Sequence, residues 1–178
     1  MPELSASTVR LDAAFPDETG ARPLDPISIG PVLVDRTLPD GRHLVVRDRR
    51  SVHRLWLTDP DPLRPVAIVI AHGAGVLHRA AAAYRLARRL GGRAAGPVPR
   101  GLAPTRLQRR RYGRLLRLLD ASAARATRRE MAVILYPGMN AYTAREWTSS
   151  TERRNTQRAL DKARTLVSGG YRTLLAGA

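Results

Sequence analysis

Apolar residues come in short runs broken by turn residues over the first half of the chain, then recur at three- and four-residue spacing over the second. That change of period predicts strands followed by helices. PVLVD (31–35) and HLVVR (43–47) flank Pro39-Asp40-Gly41, a hairpin signal. RLWLT (54–58) follows the polar Asp48-Arg49-Arg50-Ser51, and VAIVI (66–70) follows the proline-rich DPDPLRP. Three or four strands in a meander account for residues 31–70. Residues 1–30, rich in Pro, Asp, Glu and Ser and with little periodicity, read as irregular. VLHRAAAAYRLARRL (76–90) predicts an alanine-rich helix closed by Gly91-Gly92, and 93–103 reads as a linker.

From 104 onward the pattern is helical throughout. PTRLQRRRYGRLLRLLDASAA (104–124) sets Tyr112, Leu115, Leu116 and Leu119 on one face, with Arg106, Arg110, Arg114 and Arg117 mostly off it. Thr127-Arg128-Arg129-Glu130 has the form of a capping box and opens a short helix carrying Met131, Ile134 and Leu135, which Pro137-Gly138 stops. Ser149-Ser150-Thr151-Glu152 reads as a second capping box, opening a helix that runs to about Val167 before Ser168-Gly169-Gly170. YRTLL makes a last apolar turn. The expected fold class is α+β. It comprises an irregular segment (1–30), a small antiparallel β-meander plus helix (31–92), a linker (93–103) and an all-helical helix-turn-helix variant (104–178).

Charge sharpens this picture. The 178 residues carry 31 Lys and Arg against 15 Asp and Glu, a formal net charge of +16. Residues 1–60 hold eight basic and nine acidic residues, 61–100 seven and one, and 101–178 sixteen and five. A neutral front and a strongly basic back is the asymmetry of a chain with one module that meets a polyanion. The absence of cysteine removes disulfides, thiolate metal sites and thiol nucleophiles, and the scattered His43, His53, His72 and His78 make no zinc pattern. No cofactor is called for. No apolar run reaches membrane-spanning length, and the N-terminus lacks the basic-then-apolar order of a signal peptide. The expectation is a cytoplasmic, nucleoid-associated protein with no membrane partner.

A short capped helix, a turn, then a longer helix loaded with Arg, Asn and Gln in its first half is how a helix-turn-helix reads in sequence. The second helix must pack its far half on the domain while its near half enters the major groove. Winding 149–167 at about 100° per residue puts Leu160, Ala163 and Val167 on one stripe, with Thr156 alongside. The opposite stripe holds Thr151, Arg154, Asn155, Arg158 and Lys162. Arg grips guanine bidentately and Asn does the same to adenine, so Arg154, Asn155 and Arg158 are the candidates for base contact. Thr151, Lys162, Arg128, Arg129, Arg110 and Arg153 are the candidates for phosphate contact. Arg153 falls near the buried stripe but close to the helix start. The plain alternative is an amphipathic helix whose polar face is merely solvated. The turn from Pro137 to Trp147 is longer than the usual three or four residues and points to a variant of the motif, with Trp147 as its core anchor.

At these residues the chain resembles the RovC-like DNA-binding domain family of type VI secretion regulators, formerly a domain of unknown function. The matching stretches are DGRHLVVRD (40–48), HRLWL (53–57), RLLRLLDASAARATRREMAVILY (114–136), EWTSS (146–150) and RALDKARTLVSGGYRTLL (158–175). The resemblance extends over residues 27 to 175. It implies a helix-turn-helix variant used in transcriptional activation of secretion and conjugative-element genes, with the helix after Trp147 as reader. Some relatives act instead as antiactivators that bind a partner transcription regulator. The polar start STERRNTQRAL departs from an apolar residue common early in that helix, which favours DNA over protein contact.

Rival readings are weaker. VAIVIAHGAG (66–75) looks like the oxyanion loop of lipase-type hydrolases, but no G-x-S-x-G elbow follows it and no histidine lies beyond His78. Gly73-Ala74-Gly75 completes neither a dinucleotide fingerprint nor a P-loop, and Asp59 and Asp61 read as a turn. An aromatic content of 4% leaves few stacking platforms for single-stranded RNA. Double-stranded DNA is the expected partner, read by a homo-oligomer through half-sites.

Overall fold

The computed structural model describes residues 5–49, 51–138 and 142–177. Arg50 of the polar segment between two expected strands, and residues 139–141 of the turn after Pro137, lie outside the described residues. The chain divides into two compact units. The first takes the described residues up to Ala103 together with those from Arg172 on, and the second runs Pro104–Tyr171.

The first unit is built on a five-stranded sheet. Its strands are β1 (Thr8–Ala13), β2 (Val32–Leu38), β3 (Gly41–Asp48), β4 (Ser51–Leu57) and β5 (Val66–Val69), in the order β2-β3-β4-β1-β5. The antiparallel meander expected from the sequence is present in β2-β3-β4. It does not continue into β5. β1 intervenes, parallel to β4 (Val9 beside Leu55, Leu11 beside Leu57) and antiparallel to β5. Residues 1–30, expected to be irregular, therefore contribute a central strand. They also supply a short helix, α1 (Pro26–Ile29), with Asp25 capping the Ile27 amide at 3.1 Å and proline at its first position.

Two-residue alternation explains the core. Val9, Leu11, Leu44, Val46, Leu55 and Leu57 are buried on one face, with Ala82, Ala83 and Leu86 of α2 (Val76–Leu90) and Ile29 of α1 in the same cluster. α2 occupies the span expected for it. On the opposite face Trp56 is covered by Arg10, whose guanidinium lies 5.2 Å from the ring centroid, and by the stacked His43 ring. The indole N–H donates to the Asp40 carbonyl at 2.7 Å. Gly41 opens β3 at φ 127°, and a Cβ there would sit 2.1 Å from the Leu57 carbonyl oxygen. Only glycine lets the hairpin close this tightly onto β4.

The last residues also close on this unit, although the sequence pattern groups them with the helices before them. The Ala6 amide donates to the Leu175 carbonyl at 2.8 Å, and the Ala176 carbonyl oxygen lies 2.6 Å from where a Gly75 Cβ would be. Both are approaches between residues distant in the chain, invisible to any local pattern.

The second unit is helical: α3 (Arg106–Ala123), α4 (Arg128–Leu135), α5 (Ala144–Ser149) and α6 (Thr151–Thr165). A π-helical turn (Leu166–Gly170) then leads into α7 (Tyr171–Leu175). Leu115 and Leu118 of α3, Met131 of α4, and Leu160 and Ala163 of α6 form its core, flanked by the half-buried Tyr112, Leu119, Ile134, Leu135 and Leu166. Two expectations change here. Leu116, placed on the packing face of α3, is 57% exposed, while Leu118 is 0% exposed and central. Val167, placed on the packing stripe of α6, is 61% exposed. The helix widens after Thr165, the phase of the stripe shifts, and Leu166 meets the core in its place. No helix of the described residues is long and apolar enough to cross a membrane.

Candidate nucleic-acid interface

Three threonine boxes fix where the helices of the second unit begin. Thr105 accepts from the Gln108 amide while Gln108 returns a bond to the Thr105 amide. Thr127 and Glu130 do the same for α4, and Thr143 and Glu146 for α5. The expected box at Ser149 takes another form. Ser149 is the last residue of α5, and Ser150 is the cap shared between α5 and α6. Its hydroxyl accepts from the Arg153 amide at 3.1 Å and donates to the Trp147 carbonyl at 2.9 Å. Glu152 falls one position too early to reach back. The segment expected to be a plain turn to Trp147 therefore contains α5, and Trp147 is half-buried within it.

The capping carboxylates have a pH signature. Backbone and side-chain hydrogen bonds from Thr127 hold the Glu130 carboxyl below the usual range, and Thr143 does the same for Glu146. A group depressed in the folded state contributes stability above its unfolded value and loses it as pH falls through the folded one. Thermal melts taken down through the carboxylate range should therefore show the wild type losing stability. Glu130→Gln, which keeps the box in the form Gln108 already uses, should lose less over the same range. Parallel pH curves would contradict this account.

α6 is positioned by one face and free on the other. Thr156 is 0% exposed, its hydroxyl spent on the Glu152 carbonyl at 2.8 Å, and Leu160 and Ala163 are buried below it. Half a turn away, Thr151, Arg154, Arg158 and Lys162 are exposed, with Asn155 half-buried on the shoulder. Arg154 donates to the Thr151 hydroxyl at 3.3 Å. The spacing of three and four residues sets these side chains in a row along α6.

Two of the expected phosphate contacts are partly committed elsewhere. Arg153 turns back to the Thr148 carbonyl of α5 at 3.0 Å, and Arg129 donates to the Tyr142 carbonyl ahead of α5. Each braces α5 against a neighbouring helix. Arg128 on α4 and Arg110 on α3 are exposed. On α3 the arginines 106, 110, 114 and 117 are all exposed, while Leu115 and Leu118 are buried.

The electrostatics are one-sided. Residues 104–171 hold fifteen basic and five acidic residues. Two of those acids, Glu130 and Glu146, are occupied by caps. Among the described residues of this unit, Arg164 with Asp161 at 3.8 Å is the one ion pair. The first unit differs: Arg10, Arg42 and Arg64 each pair with an aspartate. Guanidinium groups left without carboxylates are poised for an external anion.

Arg125 was missed by the sequence reading. The α3–α4 connection closes as a Schellman motif, Ala126 N–H to Ala121 O at 2.9 Å and Arg125 N–H to Ser122 O at 3.1 Å. Arg125 takes the left-handed position at φ 61°, where glycine is the usual occupant. An exposed cation is thus held in the turn at some backbone cost. The short ARAT between two amphipathic stretches was the available signal.

No curated protein and no solved structure matches the chain. Two family models do. One described as a domain of unknown function (DUF7012) matches residues 7–68. The other, the RovC DNA-binding family, is described as a T6SS transcription factor DNA-binding domain and matches residues 69–176, well over half of the chain. The resemblance read over 27 to 175 thus divides: DGRHLVVRD and HRLWL fall under the first model, and the helical stretches under the second. The chain belongs to the RovC family of T6SS transcription factor DNA-binding domains.

Proposed function

We propose that the protein is a sequence-specific regulator of transcription that reads double-stranded DNA with α6, in a helix-turn-helix variant formed by α4 and α6. The observation that carries this reading is the division of α6 into a face locked by Thr156, Leu160 and Ala163 and an outward row of Thr151, Arg154, Arg158 and Lys162 with no acidic partner among the described residues. A reading helix needs both properties: a fixed back, and side chains at the front that reach base edges without first breaking an ion pair. The mutual packing of α3, α4 and α6 supports it, and the insertion of α5 accounts for the long turn.

Within this reading Arg154, Asn155 and Arg158 contact bases. Thr151, Lys162, Arg128 and Arg110 contact phosphates, with the remaining guanidinium nitrogens of Arg129 and Arg153 beside them. The protein acts in the cytoplasm on the nucleoid, as a homo-oligomer that activates or modulates secretion or mobile-element genes. The roles separate experimentally. Arg154→Ala should relax preference at one base pair at a cost of about 1–3 kcal/mol, while Arg110→Ala should weaken binding evenly over all duplexes. Fluorescence anisotropy on a cognate site, its single-base variants and random DNA reads both. Equal losses on every duplex with both variants would sink the assignment. Wild-type protein that ignores DNA yet captures a partner regulator would establish an antiactivator instead.

A further inference from the structure

The first unit holds a charged group that neither the fold nor the DNA-binding reading explains. Arg85, on the sheet-facing side of α2, is 6% exposed. Its Nη2 donates to the Ser51 hydroxyl at 2.8 Å and, more weakly, to the Gly96 carbonyl at 3.5 Å, while Nε is buried with no partner. The nearby carboxylate of Asp48 is engaged elsewhere, by His53 at 3.3 Å and Arg89 at 3.6 Å. Arg85 itself has no carboxylate within ion-pair distance among the described residues. A buried guanidinium without a counter-ion is unfavourable unless something compensates it. Burial does push its pKa down, with Asp48 opposing only in part.

Arg85 lines a cleft of about 330 Å³ between α2 and residues 95–99. The walls are otherwise largely apolar: Ala81, Ala95, Pro97 and Pro99, with the Tyr84 ring. A second cation stands on the lining. The Arg88 guanidinium lies 5.8 Å from the Tyr84 ring centroid, fixed by a bond from its Nε to the Ala94 carbonyl at 2.9 Å. An enclosed cation, a second cation on an aromatic face and apolar walls are the parts of a small-ligand site.

We propose that this cleft binds a small carboxylate with a flat apolar body, its carboxylate on Arg85 and Arg88 and its body against Tyr84 and the prolines. A guanidinium fork matches a carboxylate in plane. The cleft lies along the C-terminal half of α2, where the helix dipole disfavours anions. A singly charged group is therefore preferred over phosphate, and the apolar walls supply the rest of the affinity. The proposal is independent of the DNA-binding reading, because it concerns the first unit alone.

The test is titration of the full-length, ¹⁵N-labelled protein, without DNA, with benzoate, benzamide and inorganic phosphate, followed by amide shifts. Benzoate at millimolar concentration should produce saturable shifts confined mainly to residues 81–99. Benzamide should bind about tenfold more weakly or worse, having lost the charge-assisted bonds, and phosphate should leave these amides in place. Arg85→Gln should abolish the benzoate response. Ala81→Leu, which fills the cleft with a good helix former and keeps both arginines, should abolish it in a chain whose other amides are unchanged. Overturning results would be no benzoate shifts, benzamide or phosphate matching benzoate, or an undiminished response in Ala81→Leu.

Discussion

The double variant Arg154→Ala/Arg158→Ala is expected to bind a cognate duplex no better than random DNA. A bidentate grip on a base is worth about 1–3 kcal/mol of discrimination, and two lost together remove roughly two orders of magnitude or more of preference. Both side chains are exposed, and among the described residues their one side-chain hydrogen bond is that of Arg154 to the Thr151 hydroxyl of the same helix. The melting temperature should therefore stay close to that of the wild type. Residual binding should remain, because the α3 arginines are untouched and still attract phosphate. Competition binding of the variant on cognate and random duplex, beside a thermal melt, checks each part. An intact preference in a folded double variant would remove α6 as the reader.

Leu118→Ala is expected to cost the helical unit about 2–5 kcal/mol, the usual range for a large-to-small change at a fully buried leucine. Leu118 shares its cluster with Leu115, Met131, Leu160 and Ala163, so the cavity would open where α3 and α6 meet and loosen the packed face of α6. Leu116→Ala, two residues away and 57% exposed, should stay within about 0.5 kcal/mol of wild type. Chemical denaturation followed at Trp147, in a Trp56→Phe background, reports on this unit because the tryptophan of the first unit has been removed. Equal effects of the two substitutions would mean that the packing face of α3 is misassigned.

That pair also shows what the sequence revealed and what it left hidden. Where a feature is local and repeats, it was legible. The alanine-rich α2, the Thr127 box with its helix, and the stripe Thr156-Leu160-Ala163 backed by Arg154, Arg158 and Lys162 all follow from 3.6-residue periodicity and cap chemistry. Leucine-rich α3 defeated the same argument. With leucines at 115, 116, 118 and 119, composition admits two faces, and only packing against α4 and α6 selects Leu118 over Leu116. α5 was hidden because six residues are too few to show a period and its end shares a cap with α6.

In the first unit the missing information was non-local. TVRLDA is a short alternation inside an acidic, proline-bearing stretch. It becomes a central strand because Thr8 to Leu11 find partners at Arg54 to Leu57, more than forty residues on. The return of the last residues to Ala6 and Gly75 is of the same kind. Among the candidate site residues, the outward row of α6 was readable from helical geometry. The engagement of Arg129 and Arg153 with the carbonyls around α5 was not, since α5 itself was not foreseen.

Sequence-specific DNA reading is decided by binding of the full-length wild-type protein to duplexes from upstream of its own and neighbouring operons. Random duplex of equal length is titrated beside them, at low and at near-physiological salt. Charge alone attracts all duplexes alike, and its contribution falls steeply as salt rises, whereas base contacts persist. One upstream duplex is expected to retain tight binding at the higher salt while random DNA is released. Equal affinities for all duplexes, lost together as salt rises, would contradict it.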